Sequence, residues 1–272
     1  YLYRSWRKVP TQATGSGVWF DLSMSPGNPV PNYYIGTPGA FTPLSRSANG
    51  GIDHGPDCAP FGYKKFLRKL MGLTVTGTAA PLTMQLMDYI GFYGFIDESV
   101  TDEQPLDNTL SATRYQDGRG VMLMPIVVAG QTGGQTFTVN YTNSDGVSGR
   151  ITPPVIMSTQ ALNGTVLHSQ SSGADRGGPF LPLQGNDSGV RSVQSVTIGG
   201  VGDVGLFSLV MVKPLATLAL RGIDAPTEVD YLTDCGTSLP NIVDDAYLNF
   251  VVLPVGTLAA AQILGTIETT WG

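Results

Sequence analysis

Few residues of this chain have the type and spacing that chemistry demands, and the most suggestive of them is a serine. The stretch GNDSGVRS, residues 185–192, sets Ser188 between Asp187 and Gly189. A serine nucleophile flanked by backbone amides that hold an oxyanion takes this form, and His54, Asp102 and Ser188 follow one another in a workable triad order. Against that, the glycine is followed by Val190-Arg191 rather than by Gly-Pro. His54 also sits in the tight GIDHGPDC loop. Asp-Ser-Gly is a common turn, and a turn is the expectation here.

The other constellations are weaker. Asp53, His54, Asp57 and Cys58 fall within six residues, but a structural zinc takes four Cys or His ligands, and Gly55-Pro56 reads as a loop. Asp97/Glu98, Asp102/Glu103 and Asp244/Asp245 are neighbours in sequence, whereas glycoside hydrolysis needs two carboxylates facing each other across a cleft. DESVTDEQPLD, residues 97–107, reads as a solvated acidic loop. GGVGDVG, residues 199–205, lacks the Lys-Ser/Thr that grips a nucleotide phosphate. The expectation is no catalytic residue, no cofactor and no metal.

The opening YLYRSWRKVP is more distinctive. Arg4, Arg7 and Lys8 alternate with Tyr1, Tyr3 and Trp6. Such a segment stacks on bases and pairs phosphates, yet three cations give little hold on a polyanion at physiological salt. Aromatic residues and Arg are also the usual anchors of protein interfaces. Tyr3, Arg4, Trp6, Arg7, Lys8, Tyr33 and Tyr34 are therefore expected to dock on protein, with nucleic acid disfavoured.

The elements that must position these residues are β. The 272 residues include 35 Gly and 19 Pro and are only 13% charged, against roughly 25% in ordinary soluble domains. Short β-rich runs bounded by turn residues fill the chain from residue 73. VMLMPIVVA (121–129), TFTVNYT (136–142), VIMSTQ, TVLHSQ, RSVQSVTI, VGLFSLVMV, AYLNFVVLPV and QILGTIETTW are the clearest. YKKFLRKL (63–70) instead carries Tyr63, Phe66, Leu67 and Leu70 at helical spacing, which predicts a turn or two of amphipathic helix. Seven prolines between residues 26 and 60 argue against regular sheet there. The expected fold is all-β: a β-sandwich or jelly-roll-like body over 63–272, with an extended N-terminal arm over 1–62; a division of the body near residue 150, at Pro153-Pro154, is the alternative.

Charge supports a two-part reading. Residues 1–70 hold eight Lys/Arg and three Asp/Glu, and the remainder seven and eighteen, for a net charge of −6. No apolar run approaches the roughly 20 residues of a membrane helix, and no secretory leader is apparent. Cys58 and Cys235 are expected to be free thiols rather than a metal cassette.

Several phrases together resemble structural proteins of tailed bacteriophages. They are RSWRKVPTQAT, DLSMSPGNPVPNYY, YTNSDGVSGRITP, GPFLPLQGNDSGVRSVQSV, MVKPLA, DDAYLNFVVLPVGTL and TIETTWG, and they span nearly the whole chain. The resemblance implies a non-enzymatic component of the virion, such as a capsid decoration (cement) protein or a minor head or tail component. It implies the major capsid protein or other virion proteins as partners, and a homo-oligomer, a trimer or another. It carries no catalytic residues. A tail or baseplate module that binds glycan or receptor, or a hydrolase, is the alternative, using DYIGFYGF (88–95) or the acidic pairs.

Overall fold

The computed structural model describes residues 1–107, 114–159, 162–169, 178–234 and 238–272. In chain order the strands are β1 (Leu2–Lys8), β2 (Phe20–Asp21), β3 (Gly27–Asn28) and β4 (Phe41–Pro43). A one-turn helix α1 (Arg46–Asn49) precedes β5 (Lys65–Thr74), β6 (Leu82–Asp97), β7 (Gln104–Pro105) and β8 (Met122–Ala129). Then come β9 (Thr136–Asn143), β10 (Arg150–Ile151), β11 (Val155–Ile156), β12 (Val190–Ile198) and β13 (Leu206–Leu220). The chain closes with β14 (Thr227–Asp230), β15 (Asn241–Ile242), β16 (Leu248–Pro254) and β17 (Ile263–Trp271). The fold is all-β, and every strand pair within its sheets is antiparallel.

A central sheet runs β2-β16-β6-β13-β8, with β4 also paired to β6. Its two long strands serve three apolar clusters. Leu82, Met84 and Leu86 of β6, with Ala216, Leu218 and Leu220 of β13, pack on Trp6, Leu67, Leu70, Ile263 and Ile267 of a second sheet, β14-β5-β17-β1-β3. Further along, Ile90, Tyr93 and Ile96 with Phe207, Leu209 and Met211 meet Phe137, Val139, Tyr141, Val193 and Val196 of a third sheet, β10-β9-β12-β7. The third cluster holds Met87, Tyr89, Phe92, Val210 and Val212, covered by Trp19, Met24, Tyr34 and Leu44 from the Pro-rich front. Each sheet buries one face against another, which is sandwich architecture.

The front of the chain is therefore not an arm. β1 is hydrogen-bonded along its whole length to β17, from Leu2 opposite Thr269 to Lys8 opposite Ile263. A strand turns alternate residues to opposite faces, so Trp6 and Lys8 point inward and are buried while Tyr3, Ser5 and Arg7 face out. β2 and β4 join the central sheet, and the Pro-rich segment between them lies across the chain's own core. Tyr34 is anchored there, its hydroxyl donating to Asp21 at 2.5 Å.

The amphipathic helix expected over 63–70 is also replaced by strand. Arg68 is an extra residue in β5: Glu268 stands opposite Lys69, but Thr269 stands opposite Leu67. This bulge shifts the inward face from Leu67 to Leu70, and a spacing of three imitates helical periodicity. TVLHSQ forms only isolated bridges at Thr165 and Val166, and its last residue lies outside the described residues. Pro125 is accommodated in β8 because β8 is an edge strand.

Candidate functional site

The serine constellation does not assemble. Asp187 is held by Arg150, whose Nε donates at 2.8 Å, by the Tyr141 hydroxyl at 2.7 Å and by Asn143 Nδ2 at 2.8 Å. The Arg150 guanidinium is the main cause that holds its carboxyl down at about 2. Ser188 shares a hydroxyl contact with Ser144 at 3.1 Å. His54 belongs to another part of the molecule, and both its ring nitrogens are engaged. Nε2 meets the Ala246 carbonyl at 3.0 Å, and Nδ1 meets Lys65 Nζ at 3.0 Å. Burial first, then the neighbouring Lys65, lowers its pKa to about 3, so the ring stays neutral. The turn spans residues 184–187, closed by the Asp187 amide on the Gln184 carbonyl at 3.2 Å, and Asp187-Ser188-Gly189 is the loop that leaves it, pinned by Arg150.

The Asp53–Cys58 segment is loop chemistry. Asp53 pairs with Arg4 and Arg46, and Asp57 with Arg46 at 3.1 Å. The Cys58 amide donates to Asp244 Oδ1 at 2.8 Å. Among the described residues no three His, Cys, Asp or Glu side chains are grouped to hold a metal. Cys58 is a buried free thiol, and Cys235 lies outside the described residues. Asp245 accepts from the Ser47 amide and hydroxyl, both at 2.7 Å. DYIGFYGF lies inside β6, where Tyr89, Ile90, Phe92 and Tyr93 are all core residues, so it offers no platform for a sugar ring. The acidic loop is mostly exposed, but Glu98 is wholly buried, which sequence alone did not indicate.

The seven residues expected to dock on a partner are divided by the fold. Trp6, Lys8 and Tyr34 are core residues. Lys8 Nζ donates to the carbonyls of Ser25 and Pro29 at 3.1 and 2.8 Å, and burial lowers its pKa to about 8. Arg4 is committed to Asp53. Tyr3, Arg7 and Tyr33 remain at the surface.

At the end of the second sheet where β1 begins and β17 closes, several aromatic side chains lie at the surface. Tyr1, Tyr3, Phe61 and Tyr63 are 72%, 62%, 72% and 59% exposed. Phe61, Tyr63 and Trp271 line a pocket of about 320 Å³ with Pro56, Asp57 and Cys58. The Arg68 guanidinium stacks 4.3 Å above the Tyr1 ring, and Tyr3 bonds to Glu268, which raises the phenol pKa. The outer edge of β1 is paired with β3 only at Arg7 and Lys8, and Asn28 Nδ2 reaches the Ser5 carbonyl at 3.2 Å. From Tyr1 to Arg4 that edge has no strand neighbour among the described residues. Unpaired edge and exposed aromatics thus coincide.

No protein-family model matches this chain, and no curated protein matches it in sequence. Among solved structures, the infectious bursal disease virus VP2 subviral particle aligns over 100% of this chain and 80% of its own, at 9% identity and a TM-score of 0.16. The Gx and Gt strains of infectious bursal disease virus align at 10% identity, each with a TM-score of 0.16. They cover 99% and 98% of this chain and 79% and 80% of their own. A score of 0.16 does not establish a common fold. Among the described residues no helix is long and apolar enough to cross a membrane.

Proposed function

We propose that this chain is a non-enzymatic structural subunit of a virus particle, a decoration or stabilising protein on a tailed-phage capsid. It self-associates and meets its neighbours in the shell, the major capsid protein among them, through the aromatic end of the second sheet. The observation that carries this reading is the coincidence of Tyr1, Tyr3, Phe61 and Tyr63 with the apolar pocket and the open β1 edge. Isolated exposed apolar residues are ordinary, whereas several at one end of a sheet, beside an open strand edge, suit an interface. The likeness of RSWRKVPTQAT, DDAYLNFVVLPVGTL and TIETTWG to phage structural proteins supplies the particle. The engagement of both His54 nitrogens, away from Ser188, supports a structural over a hydrolytic role.

In this reading the chain does not dock by a tether. The test is sedimentation equilibrium of the wild type and of a Tyr3→Ser/Tyr63→Ser variant, with co-sedimentation on particles. The wild type is expected to associate and bind particles, and the variant to remain folded but monomeric and unbound. A variant that associates and binds as the wild type does overturns the assignment of this face.

A further inference from the structure

A pocket of about 220 Å³ lies where three segments of the chain meet. Its floor is Phe20 of β2 and Met24, both buried. Its walls carry Thr11 and Gln12 from the segment after β1, Ser25 and Tyr33 from the segments that follow β2, and Asn163 from the turn before Thr165. None of the lining residues is charged. The pocket shares no residue with the aromatic end of the second sheet.

The fold fixes all three segments. The Val9 amide donates to the Pro26 carbonyl at 2.9 Å. Lys8 Nζ donates to the Ser25 and Pro29 carbonyls, so its charge is turned to the backbone there. The Asp21 amide donates to the Gly164 carbonyl at 2.8 Å, and Phe20 and Thr165 form a β-bridge. Gly164 has φ +96°, and a β-carbon on it would lie 2.8 Å from the Phe20 ring. Only glycine lets this turn lie against the phenylalanine, and the turn sets Asn163 at the pocket.

The polar groups of the walls are uncommitted. Among the described residues, none of the side chains of Thr11, Gln12, Ser25, Tyr33 and Asn163 makes a hydrogen bond. Ser25 is only 3% exposed, and a hydroxyl so enclosed ordinarily bonds within the protein. Its amide is taken by the Leu22 carbonyl and its own carbonyl by Lys8, which leaves the hydroxyl for the pocket. An apolar ligand would strip water from these groups without replacing it. An anion would meet no cation among the lining residues.

We propose that this pocket binds a single neutral sugar ring, free or at the end of a glycan. Hydroxyl and side-chain amide groups both donate and accept, which matches the hydroxyls of a sugar. Tyr33, 51% exposed, carries an aromatic ring on which the sugar's C–H face can stack. A volume of about 220 Å³ falls below the roughly 300–1,000 Å³ of sites for drug-sized ligands, so one ring fits and a chain does not. Walls already fixed by the fold leave little to order on binding. The site is independent of the docking face: a particle subunit held by that face would carry this pocket as a separate binding surface.

The experiment is saturation-transfer NMR of the full chain titrated with the methyl glycosides of glucose, galactose, mannose and N-acetylglucosamine, and with that of glucuronic acid as the anionic control. At least one neutral glycoside is expected to bind with a Kd of about 1 mM, and the anionic one no better. Asn163→Ala and Tyr33→Ser, both at exposed positions, should each weaken binding about tenfold at an unchanged melting temperature. Thr11→Ala, also exposed, replaces either variant that melts early. No transfer to any neutral glycoside, tighter binding of the anionic one, or undiminished binding in both variants would each overturn the site.

Discussion

Trp6 of β1 packs on Phe250 of β16, with ring centroids 4.5 Å apart and planes inclined at 46°. This contact joins the second sheet to the central one and ties the opening strand to the core through Trp6. Trp6→Ala is expected to cost about 3–5 kcal/mol, read from the denaturant midpoint. Deleting residues 1–10 removes a whole paired strand and should abolish cooperative unfolding. A truncated chain that melts like the wild type would restore the picture of a separate arm.

Glu98 makes the folded chain bind a proton that the unfolded chain releases. Its pKa is raised from an ordinary 4.5 to about 7. Its contribution is therefore complete below pH 4.5 and is lost as pH rises to 7. Glu98→Gln should be more stable than the wild type at pH 8, by up to about 3 kcal/mol. At pH 4 the two should agree, as denaturant titrations at both pH values would check.

His54 acts in the opposite direction. Its pKa is lowered from 6.5 to about 3, so the unfolded chain takes up a proton that the folded chain refuses. Stability is full above pH 6.5 and falls as pH drops towards 3, by roughly 4 kcal/mol at the end of that range. A His54→Gln variant should lack this slope in stability-versus-pH curves.

Asp187 and Ser188 separate a structural loop from a catalytic one. Asp187→Ala strands the Arg150 guanidinium and should cost about 3 kcal/mol. Ser188→Ala should change stability by no more than about 0.5 kcal/mol. A large, selective loss of some hydrolytic activity in Ser188→Ala, with stability intact, would revive the nucleophile reading.

The strands of the body were legible wherever they are half buried and regular. TFTVNYT alternates inward and outward through β9 as its residues suggest, and the all-β class follows from such runs with their Gly/Pro turns. YKKFLRKL misled because the bulge at Arg68 gives a strand the spacing of a helix. YLYRSWRK also alternates, but its inward set includes a lysine, and nothing local announces that Ser25 and Pro29 will supply carbonyls to it. The aromatic sheet end was half visible. Tyr3 stands in the opening motif, whereas Phe61, Tyr63 and Trp271 reach it only because the strands that carry or flank them are brought together.

Glu98 shows the same division most sharply. Composition and periodicity determine that this chain is β-rich, turn-dense and poor in charge, because those properties reside in each short segment and its neighbours. They place Glu98 in an acidic run, where solvation is the natural reading. Its burial between Gly130 and Gly205, residues more than thirty and more than a hundred positions away respectively, depends on three loops meeting at one end of a sandwich. Long-range strand pairing decides which side chains lose water and which keep it, and only the tertiary structure contains that pairing.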